Sequence, residues 1–350
     1  MSSALIAMSG GVDSSVAALL TVEQGLDCAG GIMKLYGSTP GDAEYAQAVA
    51  DQLGIPLCIF DFTDAFKEHV IDRFIRAYQN GETPNPCIDC NRHMKFDCLF
   101  RCAEELSKEY IVTGHYARIE PGAAGGRYLL KKGADRSKDQ SYVLYTMSQE
   151  RLKHTLFPLG GLTKAQVRDI ALEHGFANAR KHDSQDICFI PDGEKYTDFI
   201  RRHISREAPK GRFVDTNGND LGENKGIIHY TVGQRKGLGL SAQMPLYVCS
   251  VSASDNTVVV GTEDNLYAGT LIARDINLIP VYSLDTAIRA HARIRYNHPE
   301  QPATVWQLGP DTIRVEFDRP QRAITKGQSV VLYDGDTVIG GGTIIEVLPK

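Results

Sequence analysis

Three cysteines occupy positions from which their thiols could act together. Cys87 and Cys90 form a C-x-x-C pair in NPCIDCNRHMKF (residues 85–96), and Cys188 lies in HDSQDICFI (residues 182–190). A thiolate can carry a terminal sulfur as a persulfide or attack one to form a disulfide, so sulfur transfer needs two thiols within reach of each other. The C-x-x-C pair alone is equally compatible with metal binding and with electron exchange. The cysteines therefore indicate thiol chemistry without deciding its kind.

A second stretch with chemical potential is SGGVDSS (residues 9–15), which follows a short apolar run and precedes a helical one. Two glycines allow the backbone to approach a ligand closely, and the N-terminus of a helix offers free N–H groups and a positive dipole. The stretch matches neither G-x-x-x-x-G-K-[ST] nor G-x-G-x-x-G. It predicts a phosphate cradle of another type, and the plainer alternative is a tight turn with serine and aspartate helix capping.

Alternating strands and helices must position these groups. Apolar runs predict strands at residues 4–8, 30–36, 56–62 and 110–115. A helix should follow the glycine loop, and further helices are predicted at residues 42–54, 63–79 and 95–106. This alternation predicts an α/β fold with a doubly wound parallel sheet.

After about residue 205 the pattern changes to short β-rich runs separated by turn signals such as TNGN and YDGD. We therefore expect three domains, at residues 1–205, 206–268 and 269–350. The first is the α/β domain, the second a small β-rich domain, and the third a β-barrel.

Composition and charge indicate the cellular compartment and the class of binding partner. The net charge of −5 argues mildly against a nucleic-acid partner. Residues 127–138 and 201–212 each carry five basic residues against one acidic residue, so they are either solvated surfaces or phosphate-facing patches. The amino terminus does not resemble a secretory signal, and no apolar run is long enough to span a membrane. We expect a cytoplasmic protein, in which close cysteines serve redox, metal or sulfur chemistry.

SGGVDS resembles the PP-loop of the ATP pyrophosphatases, which cleave ATP between its α and β phosphates and adenylate a substrate oxygen. The whole chain is similar to the tRNA-specific 2-thiouridylase (MnmA) family, since eight stretches match in the family's order. These stretches are residues 8–16, 83–96, 113–118, 137–145, 157–171, 182–190, 230–239 and 323–333, with GGG at 340–342.

The resemblance implies ATP- and Mg²⁺-dependent thiolation of the wobble uridine of tRNA at ring position 2. Cys188 would carry the persulfide that attacks the adenylated uracil carbonyl, and Cys90 would then release the product by forming a Cys90–Cys188 disulfide. The implied partners are the tRNAs for Lys, Glu and Gln and a sulfur donor, either a cysteine desulfurase or a relay protein. The C-terminal barrel would contact tRNA.

The resemblance also implies the binding residues. Those that should border ATP are Ala7, Met8, Ser9, Gly10, Gly11, Val12, Asp13, Ser14, Met33 and Gly114. Those that should face the target base are Asn85, Pro86 and Cys87. Those that should contact other parts of tRNA are His115, Lys138, Asp139, Gln140, Arg295, Tyr296 and Gln328. Asp13 is also expected to help position Mg²⁺.

Alternatives remain open for the cysteines. Some relatives have aspartate as a proposed base where this chain has Cys87, which leaves the base unassigned. Cys87, Cys90 and Cys188 could instead hold a [4Fe-4S] cluster with one open iron. A zinc site with Cys98 and Cys102 is a third option, although both fit better as small residues of a helix core.

Two other functions are carried as rivals. One is another PP-loop ligase or amidotransferase, which needs no paired thiols, and the other is a non-catalytic RNA-binding protein. We further expect residues 83–96 to form a mobile loop that closes over the base.

Overall fold

Three sheets organise the chain, whose computed structural model describes residues 2–38, 40–123, 126–181, 187–204 and 209–348. The first sheet contains five parallel strands, namely β1 (Ser3–Ala7), β2 (Asp27–Lys34), β3 (Leu57–Asp61), β4 (Tyr110–Val112) and β7 (Thr155–Leu156). They are ordered β3-β2-β1-β4-β7. Ala4, Leu5 and Ile6 of the central strand have no exposed surface, as expected for a parallel strand covered on both faces.

Helices connect these strands and complete the α/β domain. Five of these helices consist of one segment each, namely α1 (Val12–Glu23), α2 (Pro40–Leu53), α5 (Gln149–Lys153), α6 (Lys164–Glu173) and α7 (Tyr196–Ile204). Helix α3 spans 63–79, in three parts that are Thr63–Phe66, the π-helical Lys67–Ile71 and Asp72–Gln79. The predicted alternation of strands and helices and the parallel sheet are confirmed.

Helix α4 begins nine residues earlier than the sequence predicts. It spans 86–105 and consists of Pro86–Asp89, a π-helical segment Cys90–Cys98, and Leu99–Glu105. Asn85 caps it by accepting a 3.1 Å hydrogen bond from the Cys87 N–H, and proline suits the first helical position because it needs no amide donor there. The expectation of a loop over residues 83–96 is therefore wrong for its larger part, and whether the segment moves stays a prediction.

The remaining sheets are antiparallel or mixed. A four-stranded sheet, ordered β10-β11-β8-β9, comprises β8 (Gly211–Val214), β9 (Asp220–Asn224), β10 (Tyr247–Ser252) and β11 (Thr257–Gly261). The barrel comprises β12 (Tyr267–Leu278), β13 (Ile288–Arg293), β14 (Gln301–Gly309), β15 (Thr312–Arg322), β16 (Ser329–Asp334) and β17 (Thr337–Leu348). Pairing of β12 with β17 closes it, which confirms the predicted C-terminal barrel.

A hairpin from the α/β domain extends the barrel sheet. Strands β5 (Ala117–Glu120) and β6 (Leu129–Lys132) pair with each other, and β6 joins β17 through Lys131 and Thr337. The buried Lys132 ammonium binds Glu300 at 2.7 Å and donates to the Gly335 carbonyl at 2.8 Å. The α/β domain and the barrel therefore share one sheet edge and one largely buried ion pair.

The expected domain divisions remain predictions. The division between residues 205 and 206 lies outside the described residues, and that between 268 and 269 falls two residues into β12. In the described part of the chain, every helix is too short or too polar to cross a membrane.

Candidate active site

The glycine loop joins β1 to α1 at the carboxyl edge of the parallel sheet, where α/β proteins bind ligands. Gly10 has φ +69°, and a Cβ there would lie 2.2 Å from the Asp42 carbonyl oxygen. Gly11 is the N-cap of α1 and receives no side-chain cap among the described residues, which leaves amide groups of the first turn for a ligand. Ser14 Oγ donates to the Gly11 carbonyl at 2.9 Å and fixes the turn.

Two lysines and an asparagine surround this loop, and the sequence analysis did not identify any of them. Lys164 Nζ lies 2.7 Å and 2.9 Å from the two Asp13 carboxylate oxygens, and Tyr116 also donates to Asp13 at 2.8 Å. Lys181 binds Asp42 at 2.5 Å, and buried Asn178 donates to the Gly10 carbonyl at 3.0 Å. Positive charge beside a helix N-terminus is suited to a polyphosphate.

The other predicted ATP residues lie around the same edge. Ala7 and Met8 lead from β1 into the loop, and Met33 lies near the end of the adjacent β2. Gly114 packs directly on the loop, because a Cβ there would lie 2.8 Å from the Asp13 carbonyl carbon. The structure thus brings the predicted residues together, and their contacts with ATP stay predictions.

The three thiols of Cys87, Cys90 and Cys188, which we call the thiol cluster, are free and lie in one electrostatic neighbourhood. Cys87 and Cys188 are exposed, whereas Cys90 is partly buried. Each thiol is electrostatically coupled to at least one of the others, and Cys90 is coupled to both. The fold therefore brings residues separated by 98 positions in the chain into one neighbourhood, which sulfur transfer between thiols requires.

Protein surroundings keep these thiols protonated. Burial raises the pKa of Cys90 to about 12, and the Lys95 ammonium opposes this shift. Desolvation by neighbouring protein also raises the pKa of Cys87 and of Cys188, although both residues retain exposed surface. The resting cluster is thus a set of thiols rather than thiolates at neutral pH.

The geometry gives the metal alternatives no support. Within the described ranges, no group of three or more histidine, cysteine, aspartate or glutamate side chains is arranged to hold a metal ion. Cys98 and Cys102 are buried in apolar clusters, as a core role predicts, so the zinc pattern is accidental. Among the described residues, Cys87, Cys90 and Cys188 are likewise not arranged as a set of three metal ligands, so the [4Fe-4S] alternative has no support from the geometry.

Several residues predicted to contact tRNA have structural partners instead of open side chains. Asp139 is buried and accepts from the Gly133 and Ser141 amides at 3.1 and 3.2 Å. Gln140 Oε1 accepts from the Tyr116 amide, and the Tyr296 hydroxyl donates to the Asp139 carbonyl at 3.2 Å. Any contact of these side chains with tRNA stays a prediction.

The remaining predicted tRNA residues join different parts of the molecule. Arg295 donates to the Val232 and Ala323 carbonyls, and Gln328 donates to the Thr83 carbonyl at 2.8 Å. The buried His115 lies against Lys95, whereas Lys138 is partly buried. Of the predicted base-facing residues, Asn85 caps α4, Pro86 is buried, and only Cys87 is exposed.

The two basic runs are largely neutralised within the protein. In residues 127–138, four cations bind carboxylates or carbonyls, namely Arg127, Lys131, Lys132 and Arg136. In residues 201–212, the four described cations all have carboxylate partners, namely Arg201, Arg202, Lys210 and Arg212. These pairings favour solvated protein surface over phosphate-facing patches.

Fold and site together define a class: a nucleotide-binding α/β protein of the PP-loop type, with three free cysteines in one neighbourhood and a C-terminal barrel. Family models match almost the whole chain. They are described as "tRNA methyl transferase HUP domain" (residues 2–192), "tRNA methyl transferase PRC-barrel domain" (residues 197–262) and "Aminomethyltransferase beta-barrel domain" (residues 268–344).

The chain belongs to the tRNA-specific 2-thiouridylase (MnmA) family. It is 48% identical to the tRNA-specific 2-thiouridylase MnmA of Clostridioides difficile (strain 630), over 97% of each chain. It is 47% identical to the MnmA of Clostridium acetobutylicum, over 97% of this chain and 98% of the relative. A 4-thiouridine synthetase solved as an RNA complex with bound ATP matches 58% of this chain and 50% of its own, with TM-score 0.36 and 17% identity.

Proposed function

We propose that this protein thiolates the wobble uridine of tRNA at ring position 2, using ATP to activate the uracil carbonyl. The observation that carries the proposal is that two consecutive residues, Gly114 and His115, connect the nucleotide loop with the thiol cluster. Gly114 packs on the nucleotide loop, and His115 contacts Lys95, which faces the thiol cluster. An adenylated carbonyl and a sulfur nucleophile can therefore meet in one site.

The loop residues support the activation step. Backbone amides of α1 and the ammonium groups of Lys164 and Lys181 would bind the phosphates of ATP, and the uracil oxygen would displace pyrophosphate from the α phosphate. Asp13 is a suitable carboxylate for Mg²⁺, since that ion is usually held by one or two carboxylates together with substrate phosphates. Bound Mg²⁺ would neutralise charge that develops on the phosphates.

The thiol cluster supports the transfer step. A persulfide on Cys188 attacks the uracil carbon, a C–S bond forms, and AMP leaves as the C–O bond breaks. Cys90 thiolate then attacks the Cys188 sulfur, and the electron pair of the broken S–S bond stays on the sulfur of the new 2-thiouridine. The product is a Cys90–Cys188 disulfide, which a dithiol reductant must reduce before the next cycle. The sulfur donor would be a cysteine desulfurase or a relay protein, and the tRNAs those for Lys, Glu and Gln.

The testing experiment measures 2-thiouridine directly. Purified protein is incubated anaerobically with unmodified tRNA, ATP, Mg²⁺ and a persulfide donor, and the digested tRNA is analysed by mass spectrometry. Cys188→Ser and Cys90→Ser should abolish 2-thiouridine, because each removes a reacting sulfur. Cys249→Ser, at a partly buried thiol of β10, is the matched control and should keep wild-type activity.

Two results would overturn parts of the proposal. Formation of 2-thiouridine that survives in Cys90→Ser would exclude the disulfide route. Loss of activity in Cys87→Ser together with bound iron in the wild type would establish the cluster route. No 2-thiouridine from the wild type with any donor would refute thiolation itself.

A further inference from the structure

The π-helical segment of α4 changes which side chains share a face with the thiols. In an α-helix, the residue four positions after Cys90 would lie above it, which is Met94. In a π-helix, the amide of residue i+5 bonds the carbonyl of residue i, as the Leu99 amide does with the Met94 carbonyl. Residues five apart are then linked through one helical turn, so Lys95 lies one turn after Cys90 in the hydrogen-bonding register, and Met94 is buried with no exposed surface.

A buried neutral histidine holds the Lys95 side chain. Lys95 Nζ lies 3.3 Å from His115 Nε2, and His115 Nδ1 lies 2.6 Å from the Thr113 hydroxyl. Burial and the neighbouring ammonium hold the pKa of His115 well below its usual value, so the ring is uncharged. A neutral ring that donates from Nδ1 to Thr113 has a free lone pair at Nε2, which can accept a hydrogen bond from the ammonium.

Lys95 is also the cation of this region whose charge is not cancelled by a carboxylate. Arg73 is paired with Asp89 at 3.2 Å, and Arg92 forms a two-point pair with Asp275. Among the described residues, Lys95 has no carboxylate partner in an ion pair, and it is coupled electrostatically to all three thiols. The charged and titratable groups that face Cys90 are thus Lys95, Asp89 and the two other thiols.

We propose that Lys95 supplies the positive charge that stabilises sulfur anions during transfer, and that His115 positions it. This inference deepens the proposed function and rests on it. When Cys90 has lost its proton to water and attacks the Cys188 sulfur, negative charge moves from the Cys90 sulfur to the sulfur that remains on the uracil. A fixed ammonium beside this path lowers the energy of both anions and of the state between them, without itself gaining or losing a proton.

The direction of the effect follows from the state of the nucleophile. Burial raises the pKa of Cys90 and the Lys95 ammonium opposes that shift, so loss of the ammonium must reduce the thiolate fraction. We expect Lys95→Met, which keeps the length but not the charge, to slow single-turnover sulfur transfer at least tenfold. Lys95→Arg, which restores a cation, should recover most of the rate.

The test uses full-length protein charged with persulfide, unmodified tRNA and ATP. It measures formation of 2-thiouridine and, separately, tRNA-dependent release of pyrophosphate. Lys95→Met should lose the first and keep the second, because among the described residues the Lys95 side chain is hydrogen-bonded to His115 and not to the nucleotide loop. Lys67→Met, at an exposed lysine of α3, is the matched control and should be unchanged in both.

A second readout separates charge from structure. Iodoacetamide labelling of Cys90, quantified by site-resolved mass spectrometry between pH 7 and 10, should be at least threefold slower in Lys95→Met at every pH. Labelling of Cys58 in the same samples should be unchanged and serves as the internal standard. Equal labelling and equal transfer rates in Lys95→Met and wild type would overturn the inference, as would Lys95→Arg being as slow as Lys95→Met. If the wild type releases pyrophosphate but makes no 2-thiouridine, the proposed function itself fails.

Discussion

Gly10 and Gly11 are adjacent in the nucleotide loop, yet alanine should destabilise the protein far more at Gly10 than at Gly11. At Gly10, φ is +69°, a conformation that costs an L-residue about 1–2 kcal/mol. The new Cβ would also lie 2.2 Å from the Asp42 carbonyl oxygen, so the first turn of α2 must move, and overpacking of this kind costs about 1–3 kcal/mol. Gly10→Ala should therefore destabilise the α/β domain by about 2–5 kcal/mol.

At Gly11 neither penalty applies. Its φ is −91°, and the nearest atom to an added Cβ is Ser9 Oγ at 3.4 Å, an ordinary contact. Gly11→Ala should change stability by less than about 1 kcal/mol, because the reduced freedom of the unfolded chain is offset by the poorer N-cap that alanine makes at the start of α1. Urea denaturation followed by circular dichroism, without nucleotide, measures both variants beside Gly161→Ala, which has open space around its Cβ. Equal midpoints for Gly10→Ala and Gly11→Ala would refute the argument.

Three further predictions concern pH, anchoring and domain coupling. Burial lowers the pKa of His93 in the folded state to about 4, so the unfolded chain binds a proton near pH 6 that the folded protein does not. The free energy of unfolding should therefore be greatest above pH 6.5 and should fall by up to about 1 kcal/mol on acidification to pH 5.5, with a smaller fall in His93→Gln. Equal falls for wild type and His93→Gln in urea denaturation would contradict this. Gln328→Ala removes the hydrogen bond to the Thr83 carbonyl, so it should lower the free energy of unfolding by about 1 kcal/mol and speed limited proteolysis of the turn before α4. An unchanged cleavage rate would show that this hydrogen bond does not hold the turn in place. Lys132→Met should lower the free energy of unfolding by about 2–3 kcal/mol, because it leaves Glu300 half-buried and unpaired. Lys131→Met removes a more exposed ion pair with Glu120 and should lower it by less than about 1 kcal/mol in the same urea assay.

Local patterns in the sequence predicted the parts of the fold that depend on local physics. The strand–loop–helix order around SGGVDSS, the helical spacing of residues 63–79 and the β-rich C-terminal half all correspond to the structure. The start of α4 was missed because the dipeptide Asn85-Pro86 suits a loop as well as a helix start, and only the capping bond to the Cys87 amide distinguishes them. The π-helical register leaves no short-range signal, so the position of Lys95 one helical turn after Cys90 could not be foreseen.

Long-range pairings account for what the sequence could not predict about the site. Lys164 reaches Asp13 across 151 positions and Asn178 reaches Gly10 across 168. Lys164 lies in one of the stretches that resemble the family, which was the only available signal for it. The basic run at residues 127–138 is neutralised by distant partners such as Glu300 and Asp336, which no local count of charges reveals.

The hairpin shared by the α/β domain and the barrel has a consequence for synthesis of the chain. Strand β6 is complete at Lys132, but its pairing partner Thr337 is made about 200 residues later. At about 5–20 residues per second, the ribosome needs roughly 10–40 s to supply it. During that interval the nascent α/β domain exposes the unpaired edge of β6 and Lys132, which is buried in the complete fold. A hydrogen-bonding edge left open for this long is a site at which neighbouring nascent chains can pair, so the last strand of the barrel also protects the first domain from self-association during translation.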